Sequence, residues 1–502
     1  METNNGIKIA HTKNLPTLNI KSQLNISIDS NTHIKQVLNI ETCLIDVQIE
    51  PMLNKALIRG VLGVKVVYVD MDNMFNSLSN TVNFSETLVS DNIIADSQIS
   101  VGNSQFITEF ETENQMLHIN IEGNLDCFCN LNLAMNIFNP INEYLITKKS
   151  VLQACSCVQK INKTTSFDYD FKLDAKINKI LSYDSKVIIA DTKCYDGYVL
   201  LTGEIINTII YEIESDGNNV IKINTNSTPF KSEVEATLCD EQCVADLKSH
   251  INLNDTQITT DINENSTQFN FEYCVVVNGY IYKNVNVDIV EDLYSLDSEV
   301  DEIKSKFVLC QKMPYIKLNE NVDSEITLSD EINIDEILGM VSTHCNITQT
   351  SIKENSIIVE GVINGNLLYM DENHEIKNLA TQLPYSLTIK NDYQGEICGM
   401  NLSVVPTNCK CKIKRGNTLM VDYELCLMGT IYTQTNLELI DNVKYGKTLD
   451  YGDIAFQIFV AHEGENCWQL CKRLHITQEQ LALYNKETPE VYSGGEKVIV
   501  YR

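Results

Sequence analysis

Proline, tryptophan and basic residues are all scarce in this chain. Eight prolines and 21 glycines in 502 residues leave little material for long flexible linkers. Long apolar runs are missing too. No stretch approaches the roughly 18 consecutive apolar residues that a membrane helix needs, so no transmembrane segment is expected. Lys and Arg number 38 against 68 Asp and Glu, a formal net charge of -30. A chain this acidic repels phosphate backbones, and no Lys/Arg run offsets the repulsion, so nucleic acid is not an expected partner. Met1 to Asn14 shows no apolar run behind a basic cluster, so no secretory signal is expected and the chain reads as cytosolic.

Catalytic signatures are missing as well. There is no Gly-x-Ser-x-Gly, no His-Glu-x-x-His and no phosphate loop. The eight histidines are dispersed, and His462 beside Glu463 reads as a surface pair. The expectation is no enzyme, no catalytic residue and no cofactor. Seventeen cysteines form close pairs such as Cys127/Cys129, Cys155/Cys157, Cys239/Cys243, Cys409/Cys411 and Cys467/Cys471. None has the two-residue gap of a zinc knuckle, so they read as small buried residues, with Cys127/Cys129 and Cys155/Cys157 the nearest approach to a metal set.

What is present is a repeat. Apolar residues make up 43% of the chain, enough to bury real cores, and the length suits three to five domains. An apolar strand ends in glycine, a tyrosine follows eight positions later, and an acidic turn comes next. The pattern occurs at Gly60, Tyr68 and Asp70, at Gly203, Tyr211 and Asp216, and at Gly361, Tyr369 and Asp371. Upstream stand the apolar sets Ile34/Val37/Leu38, Ile177/Ile180/Leu181 and Ile334/Ile337/Leu338. Downstream come Phe84, Phe230 and Tyr385, then Gly123, Gly279 and Gly429. The second and third copies end alike, near Leu293 and Val443, and the first diverges there.

Most of each copy alternates with period two, as Phe167, Tyr169, Phe171 and Leu173 do, so it reads as half-buried strand. A glycine inside such a strand suggests a bulge or a close backbone approach. The acidic turns read as solvated loops. One short helix per copy is expected, for example Ser232 to Leu247, where Val234, Leu238 and Val244 would share a face.

From Ile458 the texture changes to strand, helix, helix, strand. Trp468, Leu470, Cys471 and Leu474 recur at helical spacing, Thr477 caps a second helix carrying Leu481, Leu483 and Tyr484, and Lys497 to Tyr501 closes the chain. A core this small would lean on Trp468.

The C-terminal stretch resembles a LysM domain, through its opening strand, the Trp468-containing helix, the threonine-led second helix ending at Asn485 and the Gly-x-Lys-Val strand. The resemblance implies a shallow groove formed by Gly464, Glu465, Asn466, Cys467 and Trp468 on one side and Tyr484, Asn485, Lys486, Thr488 and Pro489 on the other. The family's Asp-Thr-Leu turn is here Glu465-Asn466-Cys467, which favours a protein ligand over a glycan. The three Gly-to-Tyr patterns with the terminal LysM-like unit resemble the SPOCS-domain, LysM-containing spore proteins of clostridia, the SipL-like group. That resemblance implies a non-enzymatic mother-cell protein at the forespore surface, whose LysM domain docks onto the coat's basement-layer ATPase. A peptidoglycan-binding anchor at the cortex–coat boundary and a cell-wall enzyme with an unfamiliar catalytic domain remain the alternatives.

The expected fold is mainly β: three tandem sandwich-like modules with minor helix, then a small α+β unit. The boundaries read as an N-terminal tail 1–19, modules at 20–150, 165–300 and 312–446, a linker 447–455 and the LysM-like domain 456–502.

Overall fold

The computed structural model describes all residues except 1–6, 28–32, 114–115, 136–137, 139, 141–143, 216, 253–254, 330, 355, 394, 415–416, 451–455, 486–487 and 502. Strands dominate it. The first module contains β1 (Ile7–Asn14), β2 (Leu18–Ser27), β3 (Ile34–Met52), β4 (Lys55–Asp70), β5 (Phe75–Val89), β6 (Gln98–Glu113) and β7 (Met116–Met135). The second contains β8 (Leu145–Leu173), β9 (Lys179–Tyr195), β10 (Tyr198–Ser215), β11 (Asn218–Glu235), β12 (Cys243–Ile251), β13 (Gln257–Ile262) and β14 (Thr267–Ser295). The third contains β15 (Ser298–Lys312), β16 (Ile316–Thr327), β17 (Glu336–Lys353), β18 (Ser356–Met370), β19 (Ile376–Lys390), β20 (Glu396–Lys414) and β21 (Thr418–Thr448). The C-terminal unit is β22 (Phe456–Val460), α1 (Cys467–Leu474), α2 (Gln478–Tyr484) and β23 (Lys497–Tyr501). Among the described residues no helix is long and apolar enough to cross a membrane.

Each module repeats one topology. A three-stranded antiparallel sheet (β3-β4-β5, β9-β10-β11, β17-β18-β19) faces a sheet built on one long strand, β7, β14 or β21. That long strand is flanked on one edge by the module's first strands and on the other by β6, by β12 and β13, or by β20. Inward-pointing residues of both sheets form one core per module. Strand pairing begins earlier than the sequence boundaries suggest. Residues 7–14, read as tail, pair with β7, β8 starts at Leu145, and β15 starts at Ser298. β15 covers the stretch 301–311 left between the second and third modules, and it pairs with β21.

The repeated residues have physical roles. On β4 the inward places are Ala56, Ile58, Gly60, Leu62, Val64, Val66 and Tyr68. Gly60, Gly203 and Gly361 face Phe84, Phe230 and Tyr385 on the next strand. Beside each, the preceding strand bulges by one residue. A Cβ on Gly203 would lie 1.9 Å from the Ile188 carbonyl oxygen, and one on Gly361 would lie 2.0 Å from that of Asn346. Only glycine leaves room for the bulge and the aromatic ring together. The acidic turns are not simply solvated. Asp70 is buried, and its carboxylate accepts from the Asp72 and Met74 amides at 3.0 and 2.8 Å. Asp371 does the same for Asn373 and Glu375, both at 2.9 Å. Asp216 lies outside the described residues.

The expected helix at Ser232 to Leu247 is absent. Those residues end β11, turn, and begin β12. The spaced apolar residues belong to separate elements, with Val234 buried while Leu238 and Val244 are exposed. Asp240 stabilises the turn instead, accepting from the Gln242 amide at 2.9 Å.

The three modules close into a ring. The first strand of each three-stranded sheet reaches the third strand of another. Lys179 of β9 donates to the Phe75 carbonyl of β5, Lys222 of β11 pairs with Glu336 of β17 at 3.0 Å, and Lys35 of β3 pairs with Glu375 beside β19 at 2.9 Å. On the axis, Leu38, Val67 and Val69 of the first module share a cluster with Leu181, Ile210 and Ile221 of the second and Leu338, Val341 and Leu368 of the third. Val67, Ile210 and Leu368 each precede the repeated tyrosine. The tyrosine therefore serves its own core, and the residue before it serves the ring.

Buried ions accompany this seam. Glu41 of β3 hydrogen-bonds Asp184 of β9. Burial, then the Asp184 charge, holds the Glu41 carboxyl well above its usual range. Asp184 stays below its ordinary value despite burial, because Lys186 stands 3.2 Å away.

Two predictions follow from these contacts. Gly203→Ala lowers stability by about 1–3 kcal/mol from overpacking, read as a denaturation midpoint; an unmoved midpoint would mean the strands can part freely. A raised carboxyl pKa means that the folded state binds the extra proton, so Glu41 contributes most at low pH and loses its contribution as pH rises through that raised value. Glu41→Gln therefore narrows the loss of thermal stability on the alkaline side of the ordinary carboxylate range, and parallel melting curves for both proteins at every pH would contradict this.

Candidate functional site: the docked C-terminal unit

The C-terminal unit places the sequence-predicted groove residues in two different kinds of position. Asn466 caps α1 by accepting from the Gln469 amide at 2.8 Å, and Gln469 returns a bond to the Asn466 amide at 2.9 Å. Thr477 and Gln480 form the same capping box on α2. Glu465 is buried. It takes both nitrogens of the Arg473 fork at 2.8 Å and the His462 amide at 3.0 Å. Those Arg473 hydrogen bonds hold its carboxyl below the usual range. Asn485 donates to the Leu481 and Ile499 carbonyls at 2.8 and 2.9 Å and accepts from the Ile499 amide at 2.9 Å. Its side chain clamps α2 to β23.

The polar members Glu465, Asn466 and Asn485 therefore hold the scaffold together. The surface that remains exposed is Gly464, Thr488 and Pro489, joined by Val491, which bridges to Asn466 through the backbone. Tyr484 lies apart, against the Tyr501 ring at 4.5 Å. Lys486 lies outside the described residues. Val491 was missed by sequence reasoning because a lone valine in a loop carries no pattern. Its 56% exposure is what marks it.

Trp468 has a different role from the one expected. The unit's core is made by Leu470, Cys471, Leu474, Ile476, Leu481, Tyr492, Val498 and Val500. Trp468 is only half-buried and points to the second module. Its indole nitrogen donates to Asp292 at 2.6 Å, and its ring meets Tyr294 edge-on at 5.1 Å. Lys472, one turn on, pairs with the same Asp292 and with Glu302 at 3.1 Å. His475 Nδ1 sits 2.7 Å from the Ser295 carbonyl, and the Tyr294 hydroxyl donates to the Ile476 carbonyl at 2.7 Å. The spacing 468, 472, 475 puts three docking side chains on one face of α1 and its cap. Asp292 lies at the copy end that the sequence marks as shared by the second and third copies.

Burial disfavours the thiolate at cysteines read as the nearest approach to a metal set. Burial pushes the thiols of Cys127 and Cys155 up to about 12 and that of Cys157 to about 11. A metal or redox thiol needs the opposite shift. Burial, with Cys467 next, likewise raises Cys471 to about 12. Among the described residues no group of three or more His, Cys, Asp or Glu could hold a metal ion.

Residues 33–127 match the family model described as SipL, SPOCS domain. The matched SPOCS segment runs from the start of β3 into β7 and contains Gly60, Tyr68, Phe84 and Gly123. It lies on the copy whose end diverges most. The SPOCS domain is a non-catalytic, sporulation-related family. No curated protein and no solved structure matches the chain.

The sole tryptophan makes docking directly measurable. Asp292→Asn removes one charge from the Lys472 pair and weakens the indole bond, so Trp468 emission shifts to the red with the chain still folded. The wild type shows the same shift only in acid. Asp292 is partly desolvated, which raises its pKa, but Lys472 and Trp468 outweigh this and keep it below its ordinary value. A depressed carboxylate contributes above its unfolded pKa and loses that contribution as pH falls through the folded one. Emission identical in both proteins from neutral pH downward would mean the dock does not depend on this contact.

Proposed function

We propose that the chain is a non-enzymatic assembly protein of the spore envelope, a closed β scaffold that presents one LysM-like docking unit to the coat's basement-layer ATPase. The observation that carries the reading is the state of the predicted groove. Glu465, Asn466 and Asn485 spend their hydrogen bonds inside the unit. An N-acetylated glycan needs free, convergent polar groups, since unpaired polar atoms at a sugar site cost affinity. What the unit offers instead is a small, exposed surface at Gly464, Pro489 and Val491, suited to another protein. The SPOCS match supports the sporulation setting, and the repeated topology extends the SPOCS reading to residues beyond 127. The three modules then serve as further interaction surfaces, at the forespore side of the mother-cell cytoplasm.

The test uses the full chain, purified basement-layer ATPase and insoluble peptidoglycan. The chain is expected to bind the ATPase, to lose about tenfold or more in affinity with Val491→Asp, and to stay in the supernatant with peptidoglycan. Sedimentation with peptidoglycan and no ATPase binding would replace this reading with that of a cortex anchor.

A further inference from the structure

A cavity of about 1060 Å³ lies at the junction of the three modules, lined by residues of all three. Its wall includes Asp246 and Lys248 of β12 and Met428 and Gly429 of β21. A side pocket of about 30 Å³ shares Ser100, Asp246, Lys248 and Asn278 with it and adds Phe128, Asn130 and Tyr432. Lys248 of β12 lines both. Its ammonium nitrogen is buried with no hydrogen-bond partner, and stands 5.7 Å from the Phe128 ring centroid. Two carboxylates are near, and neither bonds it. Asp246 is engaged by Thr430 at 2.9 Å, by the Tyr432 hydroxyl, and by Lys312 at 4.0 Å. Asp126 takes the Thr17 hydroxyl at 3.3 Å. Burial pulls the Lys248 pKa down to about 8, so at neutral pH most of this lysine still carries a desolvated charge.

We propose that this cavity binds an organic acid with an apolar body, its acid group against Lys248 in the side pocket. The small pocket suits one acid group and a bonding cation, the commonest strong arrangement for a buried ammonium. The larger cavity offers Ile40, Leu44, Ile99, Ile189 and Met428 for the body. Ser249 and Thr42, whose buried hydroxyls also lack partners, offer bonds to polar substituents. Because the wall comes from three modules, the ligand would tie the ring together, and binding appears as stabilisation of the whole chain. The site is independent of the C-terminal unit, so its failure and that of the docking role are separately visible.

The test measures binding of decanoate, below its micelle concentration, to the full chain by calorimetry and thermal shift. 1-Decanol and acetate serve as the neutral and the bodiless comparisons. Decanoate is expected to bind saturably at one site and raise the melting temperature, with 1-decanol and acetate each at least about tenfold weaker. Lys248→Met and Lys248→Gln abolish the preference for the acid, while Lys414→Met, which removes an exposed pair with Glu325, leaves it intact. Equal binding of decanoate and decanol, or full decanoate binding by both Lys248 variants, overturns the proposal. Acetate binding as tightly as decanoate overturns the apolar body.

Discussion

The approach of two strands across a bare glycine governs this architecture. At Gly203 and Gly361 the neighbouring bulge carbonyl comes so near that no side chain fits. Phe230 and Tyr385 then lie over the gap from the other side. The bulge turns the edge strand of each three-stranded sheet. That edge strand carries Leu38, Leu181 or Leu338 to the common axis. A side chain at the glycine would move the strand and, with it, the surface by which one module meets the next.

The seam mixes two kinds of interaction with different costs. The apolar cluster is non-directional and tolerant of small shifts. The ions beside it are directional. Glu41, Asp184, Lys65 and Lys186 must be placed well, because desolvating a charge costs several kcal/mol unless its partners are close. Lys65 meets this by donating to the Tyr183 carbonyl at 3.2 Å while lying 3.7 Å over that ring. Buried pairs of this kind add little net stability but penalise any other register. For three modules of one topology this matters, since a module could otherwise meet either neighbour.

Much of this was legible in the sequence, and the rest failed for identifiable reasons. The glycine, tyrosine and acidic-turn spacing located β4, β10 and β18 and the turns after them, because alternation and turn residues act locally. The first strand of each module was read late, since β15 hides its pairing behind charges on its exposed side. The helix drawn over Ser232 to Leu247 came from apolar spacing that two strands and a turn can also produce. Leu38, Leu181 and Leu338 stood out as repeats, yet nothing local distinguishes a residue of a module's own core from one facing a neighbour. In the C-terminal unit the cap at Thr477 was legible from sequence, whereas Asn466 was read as a groove residue and instead caps α1. The outward role of Trp468 was not legible, because its partner Asp292 lies 176 residues away.

The ring also limits how such a chain can assemble with others. Each module meets the next through unlike surfaces, the first strand of one against the third strand of another. Unlike interfaces propagate into filaments unless the rotation closes. Here three copies close it within a single chain, so the surfaces that join modules are used up and cannot recruit further chains. Contacts with other chains must then use surfaces other than these joints. The C-terminal unit is docked on one face by Trp468, Lys472 and His475 and leaves its loops at Gly464 and Val491 exposed. Closure within one chain thus limits propagation through the module joints, which an open repeat of the same interfaces would not do.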